Sequence, residues 1–204
     1  MANGCVQIFG CMSASAGLIC LMVATYASEW KILSHSTEGM VKSVVVRVGL
    51  WMSCSMPVSK RWECTVHDSV LHVPLDIQVT RAIMIISIIL AVCGLAVVVL
   101  GMKYTLCLDK DKHVKNKVAF IGGILIVLAG VCSLGIVSWY AHAVVNTQKP
   151  RPFLGKCLYL GWGGAVLCLT GGVLLSCCGL SQSTTRRSYT ARPSVQLASS
   201  KVYV

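Results

Sequence analysis

The chain has 204 residues, of which 55% are apolar and only 12% charged, with a mean hydropathy of +0.74. A soluble domain carries about 25% charged residues, so composition excludes an ordinary soluble enzyme and a disordered chain. The net charge of +11 does not point to nucleic acid, because no basic residue enters the long apolar runs and the surplus sits in loops and a tail, as in a membrane protein with basic cytoplasmic segments.

Four runs lack Asp, Glu, Lys and Arg: 8–26, 82–102, 118–141 and 157–180. About 20 helical residues cross a 30 Å hydrocarbon core, so each is read as a transmembrane helix. The expected organisation is a cytoplasmic N-terminus over 1–7, helix 1 over 8–28 and a first extracellular loop over 29–80. Helix 2 then covers 81–102, a cytoplasmic loop 103–117, helix 3 118–142 and a short second extracellular loop 143–156. Helix 4 covers 157–180, and a disordered cytoplasmic tail 181–204. Residues 1–7 carry no positive charge, which argues against a cleaved signal peptide. Glycines inside the third and fourth runs, Gly122, Gly123, Gly130, Gly135, Gly163, Gly164, Gly171 and Gly172, let helix backbones approach where lipid supplies no hydrophobic drive.

Within the first loop, 41–48 is rich in β-branched residues and reads as a strand continued by 49–54. Residues 56–59 supply a turn, 60–66 return as a partner strand, and Asp68 or Ser69 caps a short helix before Pro74. Interfacial anchoring at the headgroup level is the plain explanation for Trp30, and a packed position under a small sheet is an equally open reading for Trp51. Of twelve cysteines, Cys54 and Cys64 are the two in this polar loop, and the nearby His67 and His72 have no zinc-like spacing to them. A disulfide in an oxidising compartment is the better reading, which puts the loop outside the cell. Cys5, Cys107, Cys177 and Cys178 fall at the cytoplasmic membrane edge, where reversible palmitoylation is favoured. No paired carboxylates, nucleophile set, metal signature or cofactor motif appears, so neither an enzyme nor a metal or cofactor site is expected. An ion-coupled transporter would need ionisable residues within the spans.

Several residues together resemble the claudin family: Trp30, then Gly49-Leu50-Trp51, then Cys54 and Cys64. Asp68-Ser69 and the run from Gln78 through Arg81 to Met84 are similar to the family's entry into its second helix. Gly101-Met102-Lys103, Thr105 and Cys107 resemble its cytoplasmic loop, Ser138-Trp139-Tyr140-Ala141-His142 the end of its third helix, Gly161-Trp162 the start of its fourth, and Tyr203-Val204 its C-terminal pair. The resemblance implies a left-handed all-α four-helix membrane bundle carrying a small extracellular antiparallel β-sheet, braced by the disulfide, with Arg81 steadying the junction of loop and helix. It further implies a plasma-membrane, multi-pass tight-junction protein that polymerises into strands and forms or seals paracellular pores. The implied partners are itself and other claudins, within one membrane and across the gap, the lipid bilayer, and PDZ domains of zonula occludens scaffolds at Tyr203 and Val204. The alternative is a claudin-like auxiliary or trafficking protein that forms no strands. In this chain the second loop lacks the family's aromatic pair, and Arg47-Val48 replaces the usual acidic-aromatic residues before Gly49. Between 31 and 80 there are five basic against four acidic residues. Lys60 and Arg61, between the two cysteines, are the candidate pore charges, expected to disfavour cations.

Overall fold

The computed structural model describes residues 2–36, 43–56, 61–66, 74–101, 112–146 and 153–190. Four long helices, α1 (Ala2–Tyr26), α2 (Leu75–Gly101), α3 (Lys112–Asn146) and α4 (Lys156–Thr190), each contain a stretch long and apolar enough to cross a membrane. Phe9, Ile19, Ile89, Val131 and Val173 are exposed around them. In water such a girdle would be a liability, and in a bilayer it is the lipid-facing surface.

The helices form a ring: α1 packs on α4, α4 on α3, α3 on α2, and α2 only lightly on α1. Small residues carry the contacts. A Cβ at Gly171 would come within 2.7 Å of Gly10 O and the backbone of Ala14, and one at Gly122 within 2.8 Å of Gly94 O. These are backbone-to-backbone approaches that a side chain would prevent. Several hydroxyls inside the spans bond back to their own helix: Thr25 donates to Leu21 O, Thr80 to Asp76 O and Ser176 to Gly172 O. That satisfies them without a partner helix.

Every helix overruns the span expected from charge. α2 begins at Leu75 rather than 81, started by Pro74, whose carbonyl accepts from Ile77 N and Gln78 N. Asp76 lies in its first turn, where a negative charge complements the helix dipole. α3 covers Lys112–Asn146 rather than 118–142. α4 continues to Thr190, so 181–190 is helix where a disordered tail was expected. α1 begins at Ala2, inside the expected 1–7 terminus. Charges end a hydrocarbon span, but they do not end a helix, whose hydrogen bonds continue into the aqueous layer.

At one end of the bundle lies a five-stranded antiparallel sheet. Its strands are β1 (Lys31–Ser36), β2 (Ser43–Val48), β3 (Met52–Met56), β4 (Glu63–Val66) and β5 (Phe153–Leu154). Their order is β4-β3-β2-β1-β5. The expectation that 49–54 prolongs the strand is corrected: Gly49–Trp51 is a turn closed by Gly49 N donating to Met52 O at 2.9 Å. β5 was not anticipated in the second loop. It pairs Phe153 with Ile32 and Leu154 with Lys31, and brings the connection before α4 into the sheet. The short helix expected after Asp68 lies outside the described residues.

Candidate functional site at the junction of sheet and bundle

Directly opposed residues in antiparallel strands share a face. The register therefore aligns Phe153, Ile32, Arg47, Cys54 and Cys64 on one face. Leu154, Lys31, Val48, Ser53 and Thr65 share the other, joined by Leu33, Val46, Ser55 and Glu63 two residues along.

Trp30 fixes the sheet to the helices. It is fully buried, so it is not the interfacial anchor that the plain explanation made it. The chain bends after Tyr26 and turns the indole inward. Its Nε1 donates to Ala24 O at 2.7 Å, and its ring meets Tyr140 of α3 edge-on, centroids 5.3 Å apart. Its backbone N donates to Val48 O and its carbonyl accepts from Gly155 N. Gly155 has no room for a Cβ, which would collide with the Glu29 carbonyl. One residue thus ties α1, β2, α3 and the start of α4 together.

The Gly49–Trp51 turn is the second fastening. A Cβ at Gly49 would strike the Ser28 backbone. Leu50 is fully buried in the core, while Trp51 is 37% exposed, so Trp51 does not take the packed position under the sheet. Arg81 Nε donates to Leu50 O, and the guanidinium sits over the Trp51 ring at 5.0 Å from its centroid. Arg81 on α2 thereby contacts the turn through both the Leu50 carbonyl and the Trp51 indole.

On the Arg47 face, Arg47 forms an ion pair with Glu29, and its guanidinium lies 4.2 Å from the centroid of the Trp62 ring. No local sequence signal joins these three residues; the sheet brings them together across β2 and the segment before β4. The disulfide between Cys54 and Cys64 bridges β3 and β4, with Cα atoms 4.0 Å apart at directly paired positions. Beside it, on the opposite face, Ser53 Oγ and Thr65 Oγ1 are 3.2 Å apart.

Of the candidate pore charges, Arg61 is exposed immediately before Trp62, and Lys60 lies outside the described residues. Cys177 is exposed and Cys178 half-buried on α4, at the end of the bundle away from the sheet. Cys107, Tyr203 and Val204 lie outside the described residues. Among the described residues no group of His, Cys, Asp or Glu is placed to hold a metal ion.

Four membrane-crossing helices with a disulfide-braced sheet seated on one end define a class of small multi-pass membrane protein. The family model described as PMP-22/EMP/MP20/Claudin matches residues 4–175. The chain is 36% identical to Claudin-1 of Mus musculus over 211 residues, covering the whole of both chains. It is 35% identical to Claudin-7-A of Danio rerio, covering 86% of each chain, and 35% identical to Claudin-19 of Homo sapiens, covering 87% of this chain and 82% of that one. The chain belongs to the PMP-22/EMP/MP20/Claudin family, and within it to the claudins.

Proposed function

We propose that this chain is a structural component of tight junctions. Its copies polymerise side by side into strands and meet across the intercellular gap, where their sheets line or seal paracellular pores. The observation that carries the reading is the junction just described. Trp30, the Gly49–Trp51 turn, the disulfide and Arg81 are residues of the claudin resemblance, and they lie together where the sheet meets one end of the bundle. A sheet that transmits contacts between neighbouring copies needs such seating.

The sheet faces the extracellular side, and both termini the cytosol. A disulfide needs an oxidising compartment, and the sequence 103–117 holds five Lys against two Asp, as basic segments do on the cytoplasmic side. Lys60 and Arg61 disfavour cations in the pore. The face that bears Thr65 carries Lys31 and Glu63 as its charged strand residues, so its wall is close to neutral. Tyr203 and Val204 dock on PDZ domains of zonula occludens scaffolds, and Cys107, Cys177 and Cys178 are palmitoylation positions.

The test is expression in fibroblasts that lack junctions, followed by freeze-fracture. Continuous strands at cell contacts support the proposal. The short connection from Asn146 to Lys156, without an aromatic pair, favours a second reading, an auxiliary or trafficking claudin that forms no strands. Surface protein without strands would select it. Terminal tags reached by antibody in intact cells would overturn the orientation.

A further inference from the structure

β4 lies at the edge of the sheet, and all four of its residues are exposed. Core burial therefore does not hold this strand. Its ladder to β3, the Cys54–Cys64 bridge and the Ser53–Thr65 hydroxyl pair all end on β3. The contact between Arg47 and Trp62 reaches further, to β2. A guanidinium 4.2 Å from the centroid of an indole is attracted to the electron-rich face of the ring. Arg47 is in turn paired with Glu29. Glu29 is fixed on the bundle, because its backbone carbonyl accepts from Cys157 N at the start of α4 and the next residue is the buried Trp30. A chain of contacts thus runs from the bundle through Glu29 and Arg47 to the ring of Trp62.

Successive side chains along an extended strand point to opposite faces. Arg47, Cys54 and Cys64 share one face of the sheet, and the stacked ring puts Trp62 there too, so the alternation of β4 continues back to Trp62. Arg61, the next residue back and exposed, then falls on the other face, with Glu63 and Thr65. We propose that the Glu29–Arg47–Trp62 clasp is a positioning device for Arg61. By pinning Trp62 on the disulfide face it presents the Arg61 charge on the Thr65 face, and so sets the discrimination between cations and anions. Arg47 and Trp62 act through Arg61 and not on the ion. The selectivity half rests on the pore reading given above, and the positioning half does not.

Two measurements test it on the full chain. In the first, the protein in mild detergent is treated with trypsin, and the cut after Arg61 is followed by mass spectrometry. The two pieces stay joined by the Cys54–Cys64 bridge and separate on reduction. E29Q and R47Q leave the sequence around the cut unchanged, and each should speed it by about threefold or more, since cutting follows the population of the opened state. In the second, W62L, which changes no charge, is expressed in an epithelial monolayer. The sodium-to-chloride permeability ratio should rise by about 1.5-fold or more as the repulsion of cations by Arg61 relaxes. W62Y keeps an aromatic face and should stay near the unmodified ratio, and W62L should add nothing in the R61Q background. If W62L does not reach the surface, W62M takes its place as a longer apolar side chain without a ring. A ratio unmoved with surface delivery intact, or moved equally in the R61Q background, would overturn the proposal, as would equal cutting of E29Q, R47Q and the unmodified chain. A dilution potential that ignores the unmodified chain would remove the pore reading and the selectivity half with it, and the trypsin comparison would still decide whether the clasp holds Arg61 in place.

Discussion

Arg81 and the cysteine pair show how single side chains set the junction. Arg81 makes one charge-assisted bond to Leu50 O and one stacking contact on Trp51. Replacing it by Ala should cost about 1.5–3 kcal/mol, the range for a hydrogen bond to a charged group, read as a lower melting temperature in detergent. Lys should not restore the loss, because an ammonium cannot both donate to the carbonyl and lie flat on the indole. A Lys variant as stable as the original would show that charge alone matters there. The Cys54–Cys64 bridge closes a sequence separation of 10, so Cys54→Ser should destabilise by about 2–3 kcal/mol in the loop-entropy model. Free thiols at both positions in surface-expressed protein, found by alkylation and mass spectrometry, would contradict the bond. The bridge was legible in sequence because two cysteines stood alone in a polar loop. The Glu29–Arg47–Trp62 cluster was not, because its members are joined only by strand pairing. Which indole is buried was likewise hidden: the bend after Tyr26 turns Trp30 inward, while Trp51 is partly exposed on its turn.

The elements divide in the same way. Four spans could be read from the absence of charge, whereas the helix ends could not, since the helices run on where the hydrocarbon stops. β5 escaped notice because two residues give no periodicity, and its place depends on pairing with β1, far away in sequence. Glycine positions were visible as a composition, but their separate roles were not. A Cβ at Gly123 would approach Ser176 Oγ to 2.5 Å, while Gly135 has nothing within 4 Å. Gly123→Leu should therefore wedge α3 from α4 and cost about 1–3 kcal/mol or more, as overpacking does. Gly135→Leu should be tolerated. Thermal unfolding of both variants in detergent checks the contrast, and equal losses would mean that the α3–α4 contact is less close than described.

At the scale of the whole molecule, function turns on parts beyond the helix bundle. Replacing Lys60 and Arg61 by Glu should raise the sodium-to-chloride permeability ratio in a transfected epithelial monolayer. Repulsion between unit charges at 4 Å is about 1 kcal/mol in water and larger where water is restricted. An unchanged dilution potential, with surface delivery intact, would place these charges off the pore. At the opposite end of the chain, deleting Tyr203 and Val204, or adding one Gly after Val204, should abolish capture by zonula occludens PDZ domains, because the terminal carboxylate is the anchor of strand addition. Equal capture with the extended terminus would remove that anchor.

The ring order of the helices also says something about how the molecule is made. The partner that α1 packs against most extensively is α4, the last helix to be synthesised, and Trp30 is completed only by Tyr140 and Gly155. The β3–β4 bridge, by contrast, needs nothing made after Cys64. A nascent chain leaving the ribosome can oxidise its hairpin early, yet its first helix lacks its main partner until the final segment enters the membrane. Chains stalled after Asn146 should carry the disulfide while the α4-facing surface of α1, along Gly10, Ala14 and Gly17, remains uncovered.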